Sequence, residues 1–164
     1  MSVELTYAAT VTVVETLEDN VPAATGANRK VRHDQFNGAA GLTGSTTPPV
    51  TKVAAFEKAL SAGAATIDLT NLTGTNGATV DGTGLKVQVL KIKNKAANAN
   101  PITIKTGLTD GYELGGANFE AQISPGQELT FYGNDATPDV GATAKNLDLS
   151  GTLSQAAEVI LVMG

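Results

Sequence analysis

The residue best equipped for chemistry is His33, the single histidine among 164 residues, standing in RKVRHDQF. A Ser-His-Asp triad holds such an imidazole between an acid and a nucleophile. Asp34 follows it directly, but neighbours along a strand point to opposite faces, and no G-x-S-x-G elbow occurs in the chain. His33 therefore reads as a solvated or interface histidine. Carboxylate pairs do acid–base work without histidine in glycosidases. Here Asp68, Asp81, Asp110, Glu113, Asp135 and Asp139 are scattered over turn-like text, and Asp81 and Asp110 each open an Asp-Gly pair, where the ordinary task of the acid is turn chemistry. The stretch GNDATPDVG gathers Asn134, Asp135 and Asp139, oxygen donors of the kind a hard cation accepts. The D-x-[DN]-x-[DN]-G calcium loop is absent. Gly82 and Gly84 in DGTGLK lack the remaining spacing of a phosphate loop. The reading is an enzyme in no respect: no catalytic residue, no cofactor and no metal is assigned.

Composition agrees. With no cysteine, thiolate metal sites, disulfides and cysteine nucleophiles are excluded for these residues. Charged residues make up 16%, against about 25% in an average soluble domain; Thr, Ala, Gly and Asn take their place. A net charge of −5 gives no general attraction to nucleic acid or anionic lipid. Three Tyr and four Phe leave little to stack on bases. No apolar run approaches the roughly 18 residues of a membrane helix, and MSVELTYAATVTV has no basic n-region followed by an unbroken apolar core. The expectation is a soluble protein with no nucleic-acid and no membrane partner.

The elements that must position these side chains are strands. Val3, Leu5, Tyr7, Ala9, Val11 and Val13 alternate with polar residues, a period of two that marks a half-buried strand. EDNVPAATGANRK reads as a loop, KVRHDQF as a short strand, and NGAAGLTGSTTPPV, residues 37–50, as an extended linker or a segment held by a neighbour. TKVAAFEKALSAG places Val53, Phe56 and Leu60 at helical spacing, yet as a strand Ala54, Phe56, Lys58 and Leu60 share a face; strand is preferred because the surrounding segments are β. Gly63 reads as a hairpin corner. Further strands are expected near 65–70, 85–93, 101–105, 118–123, 127–132, 145–149 and 156–163, separated by Gly, Asn and Asp turn signals. Adjacent Val89 and Leu90 break the alternation, which a β-bulge or a strand buried on both faces explains. The fold class is all-β: an antiparallel β-sandwich, jelly-roll-like or immunoglobulin-like. Residues 1–50 form an N-terminal strand, arm and linker, and 51–164 the sandwich domain.

Two basic features stand out in this acidic chain. Arg29, Lys30, Arg32 and His33 form one cluster containing both arginines, and Lys91, Lys93 and Lys95 alternate along one segment. The lysines read as charge protecting a sheet edge. The cluster, with Phe36 as an apolar anchor, reads either as a plain exposed loop or as a docking contact for an acidic protein surface, and it is the candidate docking site.

The text TIDLTNLTGTNGATVDGTGLKVQVLKIKNKAANANPITI, then GYELGG, SPGQELTFY and a closing DLSGT and VILVMG, resembles tailed-phage virion structural proteins. The likeness is to head decoration (cement) and minor capsid β-sandwich proteins, and it covers roughly residues 53–164. It implies a non-enzymatic protein that binds and stabilises a capsid lattice and is often a homo-oligomer, with a trimer as one form. The implied partner is the major capsid protein or another virion protein, and the implied location is the virion surface after synthesis in the host cytoplasm. The alternative function is a carbohydrate-binding or adhesin-type module on a tail or cell surface, for which Tyr112 and Tyr132 are the platform material.

Overall fold

The computed structural model describes residues 3–9, 13–17, 29–33 and 38–164, with backbone alone for 13–17, 29–33, 38 and 39. By compactness the chain forms two units, one holding residues 5–41 and one holding residues up to 4 together with 42–164. The described residues contain strands and no helix.

In the first unit, β2 (Val13–Leu17) pairs antiparallel with β3 (Arg29–His33), Leu17 opposite Arg29 and Val13 opposite His33. A second two-stranded sheet joins β1 (Glu4–Ala9) to β4 (Gly38–Thr43). In β1 the alternating exposure follows the expected period: Leu5 and Tyr7 are half-buried, Glu4 and Thr6 exposed. Within the Gly/Thr-rich text of 37–50, read as a linker or a segment held by a neighbour, Gly38–Thr43 is strand and is held by β1. Backbone hydrogen bonds to a partner strand need no large side chain, so low apolar content did not forbid a strand there. Its remainder forms a turn in which Thr46 Oγ1 accepts from Thr43 N–H and Val50 N–H donates to Thr43 O.

The larger unit is a sandwich of two four-stranded antiparallel sheets. One has the order β11 (Glu120–Ile123), β10 (Ile102–Thr106), β13 (Asn146–Ser150), β6 (Ala64–Asp68). The other has the order β12 (Glu128–Tyr132), β9 (Val87–Asn94), β14 (Ala156–Met163), β5 (Lys52–Ala59). A two-stranded excursion, β7 (Leu72–Thr73) with β8 (Thr79–Val80), interrupts the passage from β6 to β9. Counting only the eight sandwich strands, the first pairs with the last, the second with the seventh, the third with the sixth and the fourth with the fifth. That is one long hairpin folded over, its strand pairs laid alternately into two sheets: a jelly roll.

The stretch Lys52–Ala59 is strand, as the β context favoured. Gly63, at φ 83°, turns the chain at the join of β5 to β6. At this hairpin corner Ser61 and Ala64 exchange backbone hydrogen bonds across a two-residue turn, and β5 and β6 then belong to different sheets.

Core-facing positions follow the period of two. Leu90 and Ile92 of β9, Ile102 and Ile104 of β10, Leu147 and Leu149 of β13, and Val159 and Leu161 of β14 are all buried in one cluster. Each such side chain withdrawn from water contributes about 1.5–3 kcal/mol before chain entropy is subtracted. The irregularity in β9 has both expected causes. The register slips at Gln88, since Val87 faces Met163 while Val89 faces Val162. Val89 and Val162 are also buried, outside the main core cluster.

Candidate functional site

Polar side chains with designed-looking geometry fall in three places. The first is the outer face of the β12-β9-β14-β5 sheet. Register puts Glu128 opposite Lys93, Lys93 opposite Glu158 and Glu158 opposite Glu57. Lys91 reaches Glu128 at 3.0 Å, Lys93 reaches Glu158 at 3.8 Å, and Lys95 Nζ donates to Glu57 at 2.6 Å. The hydrogen bond to Glu57, more than its charge alone, raises the Lys95 ammonium above its ordinary value. Lys91 and Lys93 do not guard an edge: β9 is an interior strand, and they pair with Glu128 of β12 and Glu158 of β14, while Lys95, just past the end of β9, reaches Glu57 of β5. The row is self-neutralised, and exposed pairs of this kind add little stability each.

The second place is the sandwich end holding the loops 95–101 and 151–155. Asn94, wholly buried on the core side of β9, donates through Nδ2 to Ile123 O at 2.8 Å and to Asn100 O at 3.1 Å. Asn98 Nδ2 donates to Asn94 Oδ1 and to Ala156 O. Gln155, also buried, donates to Asn100 O and accepts from Thr152 N–H. The asparagines of KNKAANANP are therefore the fasteners of their own loop to the end of β11 and the start of β14.

The third is the opposite end. Tyr112 is wholly buried; its hydroxyl donates to Pro138 O at 2.7 Å and accepts from Val87 N–H at 3.1 Å. Burial pushes the phenol up to about 12. It offers no face to a sugar, which corrects its assignment as platform material. Tyr132 lines an open cleft of about 400 Å³ with Glu113, Leu114, Phe131, Asn134 and Pro138.

Of the candidate catalytic carboxylates, Asp68 and Asp81 lie near enough for the charge of Asp81 to act on Asp68, and each is held by its own turn. Asp81 accepts from both the hydroxyl and the N–H of Thr83, and those two bonds hold its carboxyl below the usual range. Asp68 does the same with Thr70; partial burial opposes the effect, but the hydrogen bonds and Lys145 outweigh it and the carboxyl is lowered. Asp110 sits at φ 49°, its carbonyl accepting from Lys145 N–H and Asn146 N–H. Asn134 Oδ1 accepts from Ala136 N–H within the GNDATPDVG loop, and Asp139 pairs with Lys86, outside it, at 3.2 Å. Among the described residues no three acids or imidazoles gather as metal ligands.

Of the docking residues, Arg29, Lys30, Arg32 and His33 come together on one strand, β3, in the unit of residues 5–41. Phe36 lies outside the described residues. The fasteners Asn94 and Tyr112 were missed as site-builders. Asn94 was visible as a polar residue at a core-facing step of the Leu90, Ile92 alternation, whereas Tyr112 lies in loop text that carries no burial signal.

No protein-family model matches the chain, and no curated protein matches it. A solved structure titled as Bacillus endospore appendages that form a novel family of disulfide-linked pili is similar at a TM-score of 0.45 and 14% identity. The match covers 70% of this chain and 85% of that one.

Proposed function

We propose that this chain is a non-enzymatic virion structural protein that binds a capsid lattice and stabilises it, as head decoration and minor capsid proteins do. One observation supports the reading: the chain divides into a jelly-roll unit and a second unit of strands. That strand unit contains both arginines of the protein, with Lys30 and His33 beside them on β3. A durable body and a cationic attachment segment are the two parts that lattice binding asks for. Repetition on the lattice supplies avidity, so each contact need be only modest. The partner is an acidic surface of a major capsid protein or another virion protein.

The test is a triple charge reversal, Arg29→Glu, Lys30→Glu and Arg32→Glu, in the full chain. Affinity for purified parent capsids in a co-sedimentation assay should fall at least about tenfold, because reversed charges repel where the originals attracted. The unfolding temperature of the sandwich should stay within about 2 °C, as expected for substitutions away from its core. Unchanged capsid affinity removes the cluster from the account, and a wild-type protein that binds no capsid ends the proposal.

A further inference from the structure

The turn between β7 and β8 holds a pair of residues able to react with each other. Asn76 precedes Gly77, whereas every other described asparagine precedes a residue with a side chain; Asn37, also followed by glycine, lies outside the described residues. A side chain at the following position crowds attack by that residue's nitrogen on the asparagine amide, and glycine has none. At Gly77 the surroundings are open: a Cβ would meet no atom within 4 Å, and the residue sits at φ 79°. Thr75 to Thr79 are all exposed, so water reaches both partners. Asn76 Oδ1 accepts from Ala78 N–H at 3.1 Å. That bond folds the side-chain amide back along the main chain that follows it and polarises its carbonyl, making Cγ a better electrophile. The nucleophile is restrained by one bond, Gly77 N–H to Gly74 O at 2.9 Å. This bond lies in an exposed turn between two-residue strands, where opening takes far less than global unfolding.

We infer that Asn76 is a site of spontaneous, age-dependent modification, where the chain converts its own side-chain amide into a carboxylate with water as the only co-reactant. The Gly77 nitrogen gives up its proton and attacks Asn76 Cγ. A Cγ–N bond forms, the Cγ–Nδ2 bond breaks, and the amide leaves as ammonia with that proton. Water then adds to one of the two carbonyls of the resulting succinimide and breaks its bond to nitrogen. Opening at Cγ leaves aspartate, which keeps an acceptor for Ala78 N–H. Opening at the main-chain carbonyl leaves isoaspartate, whose backbone runs through the side-chain methylene. Nothing is oxidised or reduced. The isoaspartyl form adds a main-chain atom between Gly74 and Ala78, which close the hairpin through Gly74 N–H to Ala78 O at 2.8 Å. That hairpin lies against the edge strand β5 and buries Leu72, so the conversion loosens the cover on this edge. The chemistry uses no residue of β3 and stands or falls separately from the capsid reading.

The experiment incubates the full-length chain in warm, mildly alkaline buffer and follows it by anion exchange and by peptide mapping with mass spectrometry. A more acidic form should accumulate, with NH2 replaced by OH at residue 76 and the product divided between aspartate and isoaspartate. Its rate should rise with pH. It should exceed the rate at every other described asparagine by at least about tenfold, a barrier difference of about 1.4 kcal/mol. Asn76→Gln should remove the residue-76 product, because the longer side chain closes its ring far more slowly, and Gly77→Ala should slow its formation. In the separated isoaspartyl form, amide hydrogen exchange over residues 72–80 should be faster than in the unmodified chain. The denatured chain, treated identically, supplies the intrinsic rate. A folded chain that stays unmodified at residue 76 while the denatured one converts there overturns the inference, because the turn then protects the amide. So does a rate at Asn76 no greater than at the other described asparagines. Unaltered exchange in the isoaspartyl form overturns the loosening of the hairpin.

Discussion

Asn94→Leu should cost the jelly roll about 3 kcal/mol and lower its unfolding temperature by roughly 6–12 °C, at 2–4 °C per kcal/mol for a chain of this size. Leucine suits the volume and the apolar surroundings, so an argument from burial alone predicts a neutral or stabilising change. The hydrogen-bond geometry decides the other way. Asn94 Nδ2 is a donor to both Asn100 O and Ile123 O, and its Oδ1 accepts from Asn98. Removing the amide withdraws a partner from each of these three groups, and a buried polar group left unpaired costs about 1–3 kcal/mol. Some of that is recovered because Gln155 also donates to Asn100 O and Asn98 also donates to Ala156 O. Thermal unfolding of Asn94→Leu beside Asn94→Asp separates the contributions. Aspartate keeps the acceptor and loses the donors, so it should be at least as damaging. A leucine variant as stable as wild type would mean that the loop does not depend on this amide.

What the sequence made legible follows from how far each signal reaches along the chain. The period of two is local, and it located β6 and β9 to β14 to within a residue or two, since Val, Ile and Leu at alternate positions describe a face however the strands are later paired. The identity of the partner strand is not local. Lys91, Lys93 and Lys95 looked like edge protection because alternating charge has that use, and only the sheet order places β9 between β12 and β14. For the same reason the hairpin corner at Gly63 gave no sign that its two strands enter different sheets: a tight turn reads alike whether its two strands share a sheet or pass between sheets. The excursion at Leu72–Thr73 and Thr79–Val80 escaped notice because two-residue strands have no period to detect, and their text is dominated by Gly, Asn and Thr. Turn chemistry was legible where it is a property of the dipeptide, as at Asp81-Gly82, whose carboxylate accepts from Thr83. Tyr112, in GYELGG, is fixed by amide and carbonyl partners 25 and 26 residues away respectively, and nothing adjacent to it in sequence announces them.

Tyr112→Phe should lower stability by about 1–3 kcal/mol at neutral pH, and this deficit should vanish at strongly alkaline pH. The neutral-pH cost arises because the hydroxyl bridges two backbone groups, taking the Val87 amide proton and donating to Pro138 O, and phenylalanine satisfies neither. The pH dependence follows from the phenol. In the unfolded chain a tyrosine ionises near 10, whereas burial holds Tyr112 protonated up to about 12. Below about 10 the hydroxyl is neutral in both states, and its full contribution is present. Between those values the unfolded state releases a proton that the folded state keeps, so the unfolded state is favoured progressively as pH rises; two units correspond to about 2.7 kcal/mol. The phenylalanine variant has no such proton. Its deficit relative to wild type should therefore be constant up to about pH 10 and shrink towards zero by about pH 12. Denaturant unfolding of the two proteins in parallel, at each pH, cancels the titration of every other group. A deficit that stays level across that window would place the ionised phenol in contact with water, and the seal between Pro138 and the start of β9 would have to be open.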